Sequence, residues 1–122
     1  MVRWLVDGNN VMGSRPDGWW RDRPGAQRRL LAQIELWAEA EGAEVAVVFD
    51  GAPQEVEDAG VDVAWAARRG RDAADDVIAA RAAADSSGLR VVTSDAGLAA
   101  RVRAVGAEVE GAGAFLRRLA WV

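Results

Sequence analysis

Three apolar runs in this sequence end in aspartate: Leu5-Val6-Asp7, Val48-Phe49-Asp50 and Val92-Thr93-Ser94-Asp95. A fourth acidic group, Asp72, Asp75 and Asp76, follows an arginine-rich stretch. If the three runs are parallel strands, Asp7, Asp50 and Asp95 share the carboxyl edge of one sheet, where open α/β sheets bind ligands. Residues three or four apart share a helix face, so Asp72 groups with Asp75 or Asp76. Carboxylates gathered at one place repel one another. At about 4 Å and an effective dielectric of about 20, each like-charged pair costs about 4 kcal/mol. Protonation or a divalent cation relieves that cost. An all-oxygen donor set without histidine or cysteine suits Mg²⁺ or Mn²⁺. Such ions promote phosphodiester hydrolysis by activating water and stabilising the leaving oxygen.

Each carboxylate except one also has an ordinary structural role open to it. Asp95 and Asp72 precede helices and read as N-caps, with Asp75 placed at N3 where the helix dipole favours an anion. Asp50-Gly51 reads as a turn. Asp7 is harder to dismiss, because Gly8-Asn9-Asn10 reads as a turn with no helix signal directly behind it. On the helical wheel Asp75 sits with Ile78 and Ala82 towards the core, Asp76 points outward, and Arg81 fits neither face well.

The totals narrow the chemistry further. With 122 residues, one domain over 1–122 is expected. There is no histidine and no cysteine, so an imidazole base, a thiolate nucleophile and the usual zinc ligands are all missing. The net charge of −4 argues against a general nucleic-acid coat. All 15 basic residues are arginine, however, and they cluster at Arg15, Arg21, Arg23, Arg28 and Arg29 and again at Arg68, Arg69 and Arg71. The second cluster, beside the acidic helix, can hold phosphates or be a solvated loop. Trp19-Trp20, among the first, can stack bases or close a loop over the core. No Gly-x-Gly-x-x-Gly or Gly-Lys-Ser/Thr phosphate loop occurs, and no Asp-x-Asp follows a strand as an aspartyl phosphatase would require. No stretch is apolar enough to span a bilayer and the start does not read as a signal peptide, so a cytoplasmic protein without a membrane partner is expected.

The elements that must position these residues follow from periodicity. Apolar runs at 2–6, 45–49 and 89–93 predict buried strands, while the alternating Val61–Trp65 run predicts a more exposed one and 107–110 a short edge strand. Helices are expected from Pro24 to about Glu41, from about Asp72 to Asp85, over a segment carrying Leu98, Val102 and Val105 inward, and from Phe115 to Trp121 with Phe115, Leu116 and Leu119 inward. The segment from Gly13 to Pro24 is expected to be a loop. Strands alternating with helices predict a parallel sheet covered on both faces.

The motifs Leu5-Val6-Asp7-Gly8-Asn9-Asn10-Val11-Met12-Gly13, Val47-Val48-Phe49-Asp50, Asp72-Ala73-Ala74-Asp75-Asp76 and Val92-Thr93-Ser94-Asp95, in this order, resemble the NYN domain of the YacP-like group of PIN-like ribonucleases. The resemblance spans nearly the whole chain. It implies an α/β fold, a single PIN-like three-layer sandwich with a mostly parallel central sheet. It also implies a metal-dependent endoribonuclease, a hydrolase cutting RNA phosphodiester bonds with Mg²⁺ or Mn²⁺. Carried over residue by residue, it places catalytic metal ligands at Asp7, Asp75 and Asp95, supporting carboxylates at Asp50 and Asp76, and a polar neighbour that orients water or a ligand at Asn10. Arg68, Arg69, Arg71 and Arg15 are then the expected RNA-binding residues. The expected partner is RNA, mRNA in particular, with the ribosome as a further partner. The family often has an aromatic residue where this chain has Asn9, and longer members carry a C-terminal extension where this sequence stops at Val122. Two rivals stand beside the endoribonuclease: a non-catalytic RNA- or ribosome-binding module of the same fold, and a DNA nuclease of the same superfamily.

Overall fold

In the computed structural model, which describes residues 2–56, 60–66 and 73–121, the run ending at Asp7 is the middle strand of a parallel sheet. That strand is β1, Arg3–Asp7. It is flanked by β2, Glu44–Asp50, and β4, Leu89–Val92, with β3, Val61–Ala66, outside β2 and β5, Glu108–Glu110, outside β4. Every pairing is parallel. Parallel neighbours need crossovers, and helices supply them. Helices α1, Gly8–Gly13, and α2, Arg23–Glu41, lead from β1 to β2; α3, Ala73–Ala84, precedes β4; α4, Ala96–Ala104, joins β4 to β5; and α5, Ala112–Leu119, follows β5.

Side chains alternate across a strand, and the two sets bury against different helices. Trp4, Val6, Val45, Val47, Phe49 and Val92 face the layer of α1, α2 and α5. Leu5, Val48, Val91 and Leu89 face the layer of α3 and α4. The central strands are apolar almost throughout because both of their faces are covered. The result is the expected three-layer sandwich, with a sheet that is parallel throughout the described residues.

On the first face α2 is fixed at both ends. The Asp22 carboxylate accepts a hydrogen bond from the Gly25 N–H at 3.1 Å, Pro24 sits in the first turn, and Gly42 closes the helix at φ 62°, a left-handed conformation open to glycine. Leu30, Leu31, Ile34 and Trp37 point inward. Trp37 meets Trp4 and Phe115 edge to face, with ring centroids 5.1 and 5.2 Å apart, the arrangement favoured by the aromatic quadrupole.

The structure differs from expectation directly after Asp7. Gly8-Asn9-Asn10 reads locally as a turn, yet it opens α1. Burial overrides the local preference: Val11 and Met12 go into the core. Gly8 makes this possible, because a Cβ there would stand 2.5 Å from two ring carbons of Phe49. A second difference lies at the end of α4, which stops at Ala104 and leaves Val105 40 % exposed instead of inward. Likewise α5 ends at Leu119, and Trp121 stands 90 % exposed beyond it. Arg81, awkward on the helical wheel, reaches Asp62 on β3 at 3.1 Å across the outside of the sandwich. No helix among the described residues is long and apolar enough to cross a membrane.

Candidate acidic site at the sheet switch point

The chain leaves β1 for β2 and β3 on one side, then returns to β4 and β5 on the other. The order therefore reverses at β1, and the crevice at the carboxyl ends of β1 and β4 is where an open α/β sheet binds its ligand. Val6 pairs with Val92, so Asp7 stands level with Thr93 at that crevice. Both are buried, at 4 % and 2 % exposure. The Thr93 hydroxyl donates to Asp7 Oδ2 at 2.9 Å and accepts from the Asp95 N–H at 3.1 Å. One hydroxyl thus orients the buried carboxylate and sets the start of α4.

Asp7 has its pKa pushed up to about 6. Burial is the largest cause, since it penalises the charged form. The Thr93 hydrogen bond pulls the other way, the Asp75 charge adds to the rise, the Asn10 N–H opposes it without closing a capping bond, and the Asp50 charge adds again. The three carboxylates interact because of the pleat. Asp7 alternates in step with Leu5, and Asp50 with Val48, so both are on the α3 side of the sheet. Asp50 is also raised, first by burial, against a hydrogen bond from the Ala74 N–H and the charge of Arg23. The first turn of α3 therefore lies over the sheet edge, with its backbone on Asp50 and the Asp75 charge on Asp7.

Two asparagines brace this edge from both sides. Asn9 Oδ1 accepts from the Asp50 N–H at 2.9 Å, and Asn10 Oδ1 accepts from the Ser94 N–H at 2.8 Å. The β1 exit is thereby tied to the exits of β2 and β4 by side chains where the ladders have ended. Gln27, buried on α2, extends the brace: its amide donates to Asn9 Oδ1 at 3.3 Å and to the Asp50 carbonyl at 3.0 Å, and accepts from Gln54 at 2.9 Å. Arg28 holds Gln54 at 2.6 Å.

The other sequence-predicted residues are placed as follows. Asp95 is exposed at the same sheet edge and caps α4, with Oδ1 accepting from the Leu98 N–H at 2.9 Å. Asp76 is exposed and pairs with Arg101 on α4 at 3.0 Å. Arg15 is half-buried; burial lowers its pKa, which the charge of Asp17 opposes and that of Arg29 reinforces. Arg68, Arg69, Arg71 and Asp72 lie outside the described residues. Among the described residues no three His, Cys, Asp or Glu side chains form a group that could hold a metal ion. Asp7, Asp50 and Asp75 influence one another without closing such a group.

Thr93, Asn9 and Gln27 were not singled out by sequence reasoning. For Gln27 a signal existed: it stands three, four and seven residues before Leu30, Leu31 and Ile34, a polar residue on the inward face of a helix. For Thr93 the signal is weaker, a hydroxyl two residues before an aspartate at a strand exit. A separate cleft of about 430 Å³ opens at the opposite, amino edge of the sheet beside Arg3, Glu44 and Leu89. Four of its charges pair across it, Arg3 with Asp85 at 3.4 Å and Arg81 with Asp62 at 3.1 Å.

The fold is thus an all-parallel sandwich with one buried carboxylate, Asp7, at its switch point. The chain matches the YacP-like NYN domain family over residues 4–121 and belongs to that family. Among solved structures it is similar to Rae1 (YacP) from Bacillus subtilis, with a TM-score of 0.82 at 24 % identity, over 99 % of this chain and 75 % of that one. A tryptophan-to-leucine mutant of the same Bacillus subtilis protein gives a TM-score of 0.81 at 25 % identity, over 99 % and 76 %. None of the curated proteins matches the chain in sequence.

Proposed function

We propose that this chain, as one nuclease domain over residues 1–122, is a metal-dependent endoribonuclease whose chemistry is centred on Asp7, Asp75 and Asp95. The observation that carries this reading is Asp7 itself. A protein gains no stability from a carboxylate buried at a sheet edge and pushed up to about 6 by burial and by the charges of Asp75 and Asp50. Perturbed acids of this kind concentrate at functional sites. Hard oxygen donors with no nitrogen or sulfur ligand fit Mg²⁺ or Mn²⁺. Mg²⁺ commonly keeps several waters and takes one or two carboxylates together with substrate phosphates. Acids that face one another without forming a closed cage suit that mode of binding. Asp7, Asp75 and Asp95 would hold the ion, with Asp50 and Asp76 supporting the charge balance. When bound, it supplies Lewis acidity at the phosphoryl oxygens and a more acidic water.

The residues of the chain do the rest. Thr93 fixes the Asp7 carboxylate by taking one of its oxygens. Asn10 holds the β4 exit, and so Asp95, against β1. Arg15, with Arg68, Arg69 and Arg71, would neutralise the RNA phosphates that the acids would otherwise repel. RNA is accordingly the substrate class, with mRNA on the ribosome as its setting.

One observation favours a second reading, a module that binds RNA or the ribosome without cutting: no closed three-residue metal group exists among the described residues. Labelled single-stranded RNA incubated with the protein and Mn²⁺, then with EDTA, separates the two. Internal cleavage that requires Mn²⁺ and stops in EDTA is the expected result. Binding without any cleavage in Mn²⁺ overturns the nuclease and supports the module. A DNA strand of the same sequence, cut as fast as the RNA, would overturn the choice of RNA.

A further inference from the structure

Trp20 is 57 % exposed, one of the largest apolar surfaces the described residues leave open. Gly18, at φ 77°, turns the chain into a single 3₁₀ turn, Trp19–Arg21, and the Trp19 N–H donates to Asp17 Oδ1 at 3.1 Å. Trp19 packs on the core, its ring at right angles to that of Trp20 with centroids 5.8 Å apart. Cations lie over both rings, Arg21 over Trp20 at 5.8 Å and Arg23 over Trp19 at 5.2 Å. Residues 15–29 hold five arginines against two aspartates, a local charge of +3 in a chain of net charge −4. The Arg23 that covers Trp19 also bears on the acidic site, its charge opposing the rise that burial causes at Asp50.

An exposed indole flanked by guanidinium groups matches the needs of a single nucleic-acid strand, which offers flat bases for stacking and phosphates for the cations. A protein partner would make no use of the local excess of positive charge unless it were acidic. We infer that the Trp19–Arg23 segment is a landing platform for single-stranded RNA, in which Trp20 stacks one base and Arg21 and Arg23 meet the flanking phosphates as the strand runs to the carboxylates. The inference rests on RNA being the substrate, as proposed above, and adds where the strand is held.

The test is fluorescence anisotropy in EDTA, so that no cleavage intervenes, with a labelled RNA of about ten nucleotides, within the usual reach of such sites. Trp20→Ala, Trp20→Leu and Trp20→Phe are compared with the wild type, and an abasic strand of equal length is the control. The residue is exposed, and circular dichroism confirms that the variants fold. The expected result is a loss of about tenfold or more for Ala and Leu, most of it restored by Phe, with no change for any variant on the abasic strand. Equal affinity across the series overturns the platform, as does Leu binding as well as Phe, which would mark an apolar protein-docking surface. Wild-type protein that fails to bind the RNA overturns it too. Cleavage by the wild type together with unchanged binding by Trp20→Ala removes the platform and leaves the nuclease standing. Stacking-dependent binding without cleavage in Mn²⁺ keeps the platform and removes the nuclease.

Discussion

Replacing Asp7 by asparagine should make the metal-free protein more stable, and the size of the gain can be worked out. The carboxyl has an ordinary pKa of 3.8 and is pushed up to about 6 in the fold. A folded value above the unfolded one means that the native state holds the proton more tightly. The favourable contribution is complete below about pH 3.8 and is lost as the pH rises through about 6. Above that, the ionised carboxylate costs the fold about 3 kcal/mol. Burial at 4 % exposure means that solvent screening does little to reduce this. Asparagine keeps the acceptor for the Thr93 hydroxyl and adds an amide that needs partners of its own. Incomplete pairing of that amide offsets part of the gain, leaving about 1–3 kcal/mol at pH 7.5. For a chain of 122 residues each kcal/mol moves the melting temperature by about 4 °C, so a rise of roughly 4–12 °C is expected. Thermal unfolding of Asp7→Asn and wild type in EDTA, from pH 4 to 8, measures it. The difference should be full above pH 7 and close to zero at pH 4. A variant no more stable than wild type at pH 7.5, or a gain that persists unchanged to pH 4, would refute the account of Asp7 as a charge held against its environment.

Three further outcomes are expected. Asp75→Asn should leave stability unchanged or raised, because it removes a like charge from Asp7, while RNA cleavage falls a hundredfold or more, on the order of 3 kcal/mol of barrier; unchanged cleavage would remove Asp75 from the site. Thr93→Val strands Asp7 Oδ2 and the Asp95 N–H, so it should cost about 1–3 kcal/mol in urea unfolding and move the Asp7 carboxyl still higher by carbon-detected NMR titration; an unshifted carboxyl would show that the hydroxyl does not act on it. Gly8→Ala drives a methyl into the Phe49 ring and should cost about 1–3 kcal/mol or more by the same unfolding assay, whereas wild-type stability would mean that α1 moves away from β2 without penalty.

The strands and the long helix could be read from the chain because their signals are local. Val45–Phe49 is apolar without a break, as a strand covered on both faces must be, and Pro24 and Gly42 bracket α2 in sequence as they do in space, while the capping Asp22 was not read from the chain. That Asp7 and Asp50 leave the sheet at one edge could be anticipated from parallel strand exits, whereas Asp75 was joined to them only through the family resemblance. What escaped is set by tertiary contact. The helix α1 exists because Val11 and Met12 are drawn into the core and Gly8 admits Phe49, neither of which Gly8-Asn9-Asn10 announces. The partner of Thr93 lies 86 residues away and that of Asn9 lies 41 away, distances at which no local pattern operates. Asp95 shows the limit of motif reading from the other direction: the same side chain that a ligand set would use is engaged in capping α4.

The two asparagines after β1 have a dynamic consequence. Where a parallel ladder ends, strand tips normally fray independently, each opening at its own free energy. Here adjacent residues of one short helix reach in opposite directions, Asn9 to the amide of Asp50 and Asn10 to the amide of Ser94. Neither neighbouring strand tip can peel away without pulling on the same dipeptide, and α1 cannot unwind without releasing both. The amide hydrogens of Asp50 and Ser94, at the exits of strands that never touch, should therefore exchange with solvent as one event. Three strand ends breathe together, and the carboxylates they carry keep their spacing until that whole edge opens.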